Sequence, residues 1–468
     1  MNKEKIRRSL RLPHTFVIIF MITILMAALT WVVPAGEFDR ALDPKTGRTM
    51  VLAETYHAVP SSPVGLFDTF KAVQLGMIDA ADIVFFIFLV FASFYIVMKS
   101  GALNGAIGTL LKLTKGKEIW MIPIFMYAFA LGGATFGLYE ETYAFIPLFV
   151  GLAIAIGYDA IVGMCMVSLG VAMGFASAPL NPFTVIIAQT VAELPLYSAM
   201  GFRTIFCLVF VTIAVVYTMR YAQKIKKDPS KSLVKDLEFS SLALKKEDLL
   251  KTELTIRHKI ILVIVGATIV VLLIGVRELG WYINEIAALF LIMGIVSGFV
   301  AGFTPSKIAV YFLEGCAEVV YGALIVGLAR SILIVMNMGC IADTVIYGLS
   351  APIVSMPSLL GAEAMLLVQS AINFLIPSGS GQAVVSMPIM VPMADLAGIN
   401  RQIAVLAYQF GDGLSNLLWP TCGIAVMSAI AKVPLGRWWR FFIPLCGILF
   451  ATQVIFVAIA SVISLGPF

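Results

Sequence analysis

Apolar residues fill this chain in blocks of about 20, separated by short polar stretches. A helix needs roughly 20 apolar residues to cross the hydrocarbon core of a bilayer. The blocks therefore predict crossings near 14–34, 82–99, 160–192, 203–220, 258–276, 284–303, 317–338, 402–432 and 441–463. Two further apolar stretches, 119–157 and 358–398, break in the middle. The first breaks at Gly137-Leu138-Tyr139-Glu140-Glu141-Thr142 and the second at Pro377-Ser378-Gly379-Ser380-Gly381-Gln382. By length each could be two crossings or one re-entrant hairpin. The polar tips favour re-entrance, because they are costly against lipid and natural in a protein-lined cavity.

The pattern repeats. Each half has two crossings, an amphipathic stretch (101–115, 340–354), an interrupted hairpin, a long interrupted span and a final crossing. The broken spans carry Pro179-Leu180-Asn181-Pro182-Phe183 and Gly413-Leu414-Ser415-Asn416-Leu417-Leu418-Trp419-Pro420. Four crossings per repeat, with an extra span at 258–276 between them, predict that the second repeat is inverted. The expected fold is an all-α polytopic membrane protein of two inverted repeats. Repeat 1 is 1–222, with hairpin 119–157 and broken helix 160–192. Then come a cytoplasmic linker, 223–257, expected to be partly helical and functionally quiet, and the extra helix within 258–283. Repeat 2 is 284–468, with hairpin 358–398 and broken helix 402–432. Inverted repeats with helices broken at mid-membrane are the architecture of secondary transporters, and the paired breaks point to the binding site.

Composition agrees with the pattern. Of the 468 residues 60% are apolar and 13% charged, about half the charge of a soluble domain. The net charge of +5 does not indicate nucleic-acid binding, because the basic residues cluster in short loops. With both hairpins re-entrant and the N-terminus inside, 24 of the 32 Lys and Arg face the cytoplasm and 7 face outward. Arg330 alone lies within a span. This bias orients the chain in an inner membrane with its N-terminus inside. The run after Lys3, Lys5, Arg7, Arg8 and Arg11 is too long for a signal peptide and lacks a cleavage site, so it is read as a first transmembrane helix. Six cysteines without a CxxC pair predict neither a disulfide framework nor a zinc site.

A helix broken at mid-depth presents N–H groups at one end and carbonyls at the other. The first attract carboxylates and the second attract cations. Asn181 and Asn416 suit such breaks, lining the site or capping the broken helix, and a coupling Na⁺ would lie near them. Glu140, Glu141 and Thr142 form the first tip. The acids either recognise a substrate amino group or coupling cation, or cap the next half-helix. Ser378, Gly379, Ser380 and Gln382 of the second tip offer hydroxyls, an amide and free backbone N–H groups. Asp412, one turn before Asn416, either approaches the same cavity or pairs with Arg330. Three acids against at most one base favour a small, basic amino acid over a dicarboxylate.

Other classes find little support. There is no Gly-rich loop ending in Gly-Lys-Ser/Thr for a pump and no HExxH. Gly379-Ser380-Gly381 is preceded by Ser378 where a nucleophile elbow needs glycine. His14, His57 and His258 lie near span ends or in loops, so no buried Ser–His pair is available. The chain is read as a transporter, not an enzyme or a passive channel.

Gly132-Gly133-Ala134-Thr135-Phe136-Gly137-Leu138-Tyr139-Glu140-Glu141-Thr142, Ala178-Pro179-Leu180-Asn181-Pro182-Phe183, Gly327-Leu328-Ala329-Arg330 and Ile376-Pro377-Ser378-Gly379-Ser380-Gly381-Gln382 resemble the YfcC family, as does Trp31-Val32-Val33-Pro34-Ala35-Gly36-Glu37. That family belongs with the C4-dicarboxylate anaerobic carriers of the ion transporter superfamily, and the resemblance covers nearly the whole chain. It implies a homodimeric inner-membrane carrier whose transport domain moves like an elevator against a scaffold, coupled to Na⁺ or H⁺ or working by exchange. The family label points to C4-dicarboxylates, while similar proteins are assigned as arginine/ornithine exchangers. The Ser-Asn-Thr tips of the dicarboxylate carriers are absent here, and Glu140-Glu141-Thr142 stands in one of their places.

Overall fold

The computed structural model describes residues 13–43, 48–52, 55–113, 116–239, 242 and 252–466. Helix α1 (Thr15–Leu29) leads into two short antiparallel ribbons, Gly36–Glu37 with His57–Ala58 and Arg40–Asp43 with Arg48–Val51. Then follow α2 (Leu66–Asp79), α3 (Ala81–Lys99) and α4 (Ala102–Leu113). Helices α5 (Met121–Phe136) and α6 (Ile146–Ala155) form the first hairpin. The first broken span consists of α7 (Ala160–Ala176) and α8 (Val185–Val191), and α9 (Met200–Lys227) ends this half. The second half opens with α10 (Ile256–Glu278), α11 (Ile283–Val300), α12 (Pro305–Met338) and α13 (Ala342–Ser350). Its hairpin is α14 (Ser358–Leu375) and α15 (Gly379–Leu396), its broken span is α16 (Arg401–Ser415) and α17 (Gly423–Ile430), and α18 (Leu435–Val462) completes it.

Eight helical stretches among the described residues are long and apolar enough to cross a bilayer. Large apolar side chains such as Val263, Val270 and Ile274 stay exposed along α10, as lipid rather than water requires. The chain is a multi-pass membrane protein. Helices end where the apolar runs were interrupted, α5 at Phe136, α7 at Ala176, α14 at Leu375 and α16 at Ser415.

Helix α2 was not anticipated from hydropathy. Its buried face is Thr69, Ala72 and Gly76, small residues rather than large apolar ones. They let α2 lie against α12 so closely that a Cβ at Gly76 would sit 2.6 Å from the Gly327 carbonyl oxygen. Only Ala80 separates α2 from α3, and together they match the 34-residue α12 in extent. Helix α12 also starts earlier than the span expected at 317–338. Its first turns carry Lys307, Glu314 and Glu318, which hid them from an apolar count.

Small residues also hold the hairpins against the broken spans. Gly170 and Gly174 of α7 face Met126 and Ala130 of α5, and Gly413 of α16 faces Ala176 of α7. Without a hydrophobic drive between helices in lipid, such backbone-to-backbone contact supplies the packing. Between Cys165 and Leu169, α7 widens into a π turn. Arg203, counted above as an outer-loop charge, lies in the first turn of α9 and is buried.

Residues 240–241 and 243–251 of the linker lie outside the described residues; among the described ones α9 runs on to Lys227, Pro229–Lys231 forms a 3-10 turn and α10 begins at Ile256. The first half is docked. Asp159 caps α7 and accepts hydrogen bonds from Tyr221 at 2.6 Å and Ser232 at 2.7 Å, while Arg437 of α18 donates to the Leu233 carbonyl at 3.0 Å.

Candidate functional site

The two tips and the two breaks come together. At the first tip, α5 ends on Gly137 in the left-handed region (φ 70°). A Cβ there would also lie 2.7 Å from Asn181 Oδ1, so glycine is required twice over. Tyr139 N–H donates to Glu141 Oε2 at 2.9 Å, and the Thr142 hydroxyl donates to the Tyr139 carbonyl at 2.6 Å. A short 3-10 turn, Glu140–Phe145, then leads into α6.

Opposite, the Ala178-to-Thr184 break turns on Asn181, whose Oδ1 accepts from Phe183 N–H at 2.8 Å. This local bond turns the break itself; α8 starts beyond it, at Val185, with no side-chain cap. The Asn181 Nδ2 is buried without a hydrogen-bond partner, so half of the amide remains available.

At the second tip, the Ser378 hydroxyl accepts from Gly381 N–H and caps α15. Tyr408 of α16 holds the Gly379 carbonyl at 2.6 Å. Gly379 is pressed against the breaks, since a Cβ there would lie 2.7 Å from Thr184 Cγ2 and 3.3 Å from Asp412 Oδ2. The second break is tied to α14 through Asn373, whose Nδ2 donates to the Asp412 carbonyl, Ser415 Oγ and Asn416 Oδ1 at 2.9, 2.7 and 3.1 Å.

A cavity of about 110 Å³ sits among these parts. Glu140, Glu141, Ser378, Gly379, Ser380 and Asn416 line it, together with Tyr139, Phe175, Phe183 and Gly423. Its far wall is Ile83 and Phe86 of α3 with Tyr282, Ile283 and Ile286 at the start of α11. Asp412 and Asn181 stand just behind the tips, beside Gly379 and Gly137. Thr142 and Gln382 turn away. Gln382 is buried and donates to the Gln369 carbonyl and Oε1 at 2.8 and 2.7 Å, so it braces the second hairpin internally.

No basic side chain lines the cavity among the described residues. Arg330 does not reach Asp412. It pairs with Asp79 at the end of α2, a residue whose helix the apolar pattern had not shown. Asp412 is completely buried, and neither carboxylate oxygen has a hydrogen-bond partner. Tyr139 Oη and Thr184 Oγ1 are likewise buried and unpartnered. Buried polar groups are normally satisfied, and these open donors and acceptors are exceptions gathered at the tips and breaks.

Tyr139 and Thr184 were not among the residues expected from sequence. Both adjoin residues that were, in the motifs Tyr139-Glu140-Glu141 and Asn181-Pro182-Phe183-Thr184, so their adjacency was a usable signal. Tyr282 had none. It reaches the site only because α11 packs there, with its ring 5.4 Å from that of Phe183.

These elements define a membrane transport protein, and the comparisons give its family. Residues 12–462 match DcuC, the C4-dicarboxylate anaerobic carrier family, and the chain belongs to it. Among its relatives is the Escherichia coli (strain K12) protein named "Putative basic amino acid antiporter YfcC", 32% identical over 96% of each chain. An uncharacterized Haemophilus influenzae protein is also 32% identical, over 96% of this chain and 97% of its own. Among solved structures, the YdaH transporter of Alcanivorax borkumensis aligns over 97% of this chain and 100% of its own, at 16% identity and a TM-score of 0.45. MtrF of Neisseria gonorrhoeae, from a class of antimetabolite efflux pumps, aligns over 98% of both chains, at 16% identity and a TM-score of 0.44.

Removing either open hydroxyl tests the site. Thr184→Val and Tyr139→Phe delete groups with no internal partner, so thermal stability should hold or rise. Substrate affinity should fall about tenfold, the ~1.5 kcal/mol of a hydrogen bond to a charged group. Unchanged affinity in both variants would remove these residues from the site.

Proposed function

We propose that this chain is a secondary active exchanger of small basic amino acids such as arginine and ornithine. The observation that carries the reading is the charge of the cavity. Glu140, Glu141 and Asp412 meet there without a base. A cationic amino acid compensates them, and the helix start at Gly379 offers N–H groups to its carboxylate. The relative named as a basic amino acid antiporter supports the same substrate class.

The charge also favours exchange. An unoccupied acidic site is costly to carry through hydrocarbon, whereas a cationic occupant offsets that cost in both directions. The cavity is small beside the ~300 Å³ lower end of ligand pockets, so substrate entry requires the tips to part from the wall formed by α3 and α11. The proposed motion is an elevator movement. The hairpins, broken spans, α9 and α18 travel together past α2, α3, α11 and α12, within inverted halves bounded as the sequence suggests. The setting is a homodimer in a bacterial inner membrane with a cytoplasmic N-terminus. A second reading, Na⁺- or H⁺-coupled C4-dicarboxylate transport, is favoured by the family description, with a cation near Asn181 and Asn416 offsetting the acids.

Uptake into proteoliposomes separates the two. Labelled ornithine or arginine is compared with labelled succinate, each with and without counter-substrate inside. The exchange reading expects saturable amino-acid uptake that falls at least tenfold without internal substrate. Succinate uptake without amino-acid uptake would overturn it.

A further inference from the structure

On the face of the molecule away from the tips, α9 and α18 leave a groove of about 500 Å³ between them. Leu208, Val209, Val216, Tyr217 and Ile448 line its length, and Arg220 stands at one end. Its surface is mostly apolar: the Thr212 hydroxyl is turned back to the Leu208 carbonyl, and Arg220 is the one charged group. From Leu208 to Arg220 is twelve residues, about 18 Å of helix, close to the ~15 Å hydrocarbon depth of one leaflet.

Arg220 sits where α9 leaves the apolar zone. Lys224, Lys226 and Lys227 follow it in the last turns. Tyr217 donates to the Phe441 carbonyl at 3.1 Å, which brings the neighbouring, exposed Arg440 of α18 to the same level. Arg220 itself is exposed and has no acidic partner among the described residues. A guanidinium with no acidic partner among the described residues, at the end of an apolar trough about one leaflet long, is complementary to an anionic lipid.

We infer that this groove binds an anionic phospholipid, with an acyl chain along Leu208, Val216 and Ile448 and the phosphate at Arg220. The site joins the last helix of one half to the last helix of the other. A lipid seated there would lie along both helices, beside their direct contact at Tyr217 and Phe441. Its identity is set by charge at one end and chain length at the other, independently of what the tips transport.

The test equilibrates the full-length protein with vesicles of equal phosphatidylglycerol and phosphatidylethanolamine, extracts it in mild detergent, and counts retained lipids by native mass spectrometry. Wild type should retain phosphatidylglycerol over phosphatidylethanolamine. Arg220→Ala should lower that ratio about fivefold, the ~1 kcal/mol of one basic residue near an anionic surface. Arg220→Lys should keep most of it, which separates charge from folding. Val216→Trp, filling the trough, should reduce both lipids. Equal retention of the two lipids by wild type, or an unchanged ratio in Arg220→Ala, would overturn the inference.

Discussion

Asp412→Asn should abolish exchange while leaving the folded protein intact. Neither oxygen of the Asp412 carboxylate has an internal partner, so the amide breaks no hydrogen bond of the fold. The carbonyl of Asp412 stays with Asn373. What is lost is a charge facing the ligand. Removing one member of a buried charge pair costs about 3 kcal/mol or more, which is on the order of 100-fold in uptake. Glu141→Gln belongs beside it, because the amide oxygen can still accept from Tyr139 N–H and keep the tip closed. Both variants should elute as folded protein with an unchanged melting temperature. Uptake at the wild-type rate in both would remove these acids from the site, and the charge argument for a basic substrate would go with them.

Gly413→Leu should have the opposite profile, with folding lost first. A Cβ at Gly413 would collide with the Ala176 backbone, where the two broken spans touch, and a Cβ at Gly174 would collide with the Ala130 carbonyl. Backbone on both sides leaves nothing that can rotate away. Overpacking commonly costs 1–3 kcal/mol, and a side chain driven between two backbones should exceed roughly 4 kcal/mol, the range reserved for severe lesions. Gly413→Leu and Gly174→Leu should therefore yield aggregated protein on size-exclusion chromatography. Gly201→Ala and Gly447→Ala, where a Cβ meets nothing within 4 Å, should behave as wild type. A well-folded Gly413→Leu would mean that the breaks are not held together as described.

The local chemistry of each segment was legible. Runs of apolar residues disclose membrane helices because lipid leaves the backbone no other way to satisfy its hydrogen bonds. Pro179, Pro182 and Pro420 disclose the breaks because proline lacks the N–H that a helix interior needs. The tip at Glu140 and Glu141 stood out for the same reason, as charge inside an apolar stretch needs a protein-lined or wet surrounding.

Partnership was not legible. Arg330 and Asp412 were the deep charges of their own spans, and pairing them was natural by composition. The fold gives Arg330 to Asp79 instead, because α2 packs along α12 through Gly76, Ala72 and Thr69, none of which an apolar count detects. Tyr139 and Thr184 became candidate residues only when the packing left their hydroxyls without partners. Tyr282 entered the cavity wall only by the placement of α11.

By itself, then, the sequence determined that the chain is a membrane transporter with two interrupted hairpins and two broken spans, since hydropathy and helix breaking act over a few consecutive residues. Which acids stay unpaired, which small residues touch, and which wall closes the cavity were decided by the tertiary structure alone, because each depends on residues far apart in the sequence, such as Asp79 with Arg330 and Ala176 with Gly413, meeting at the right depth.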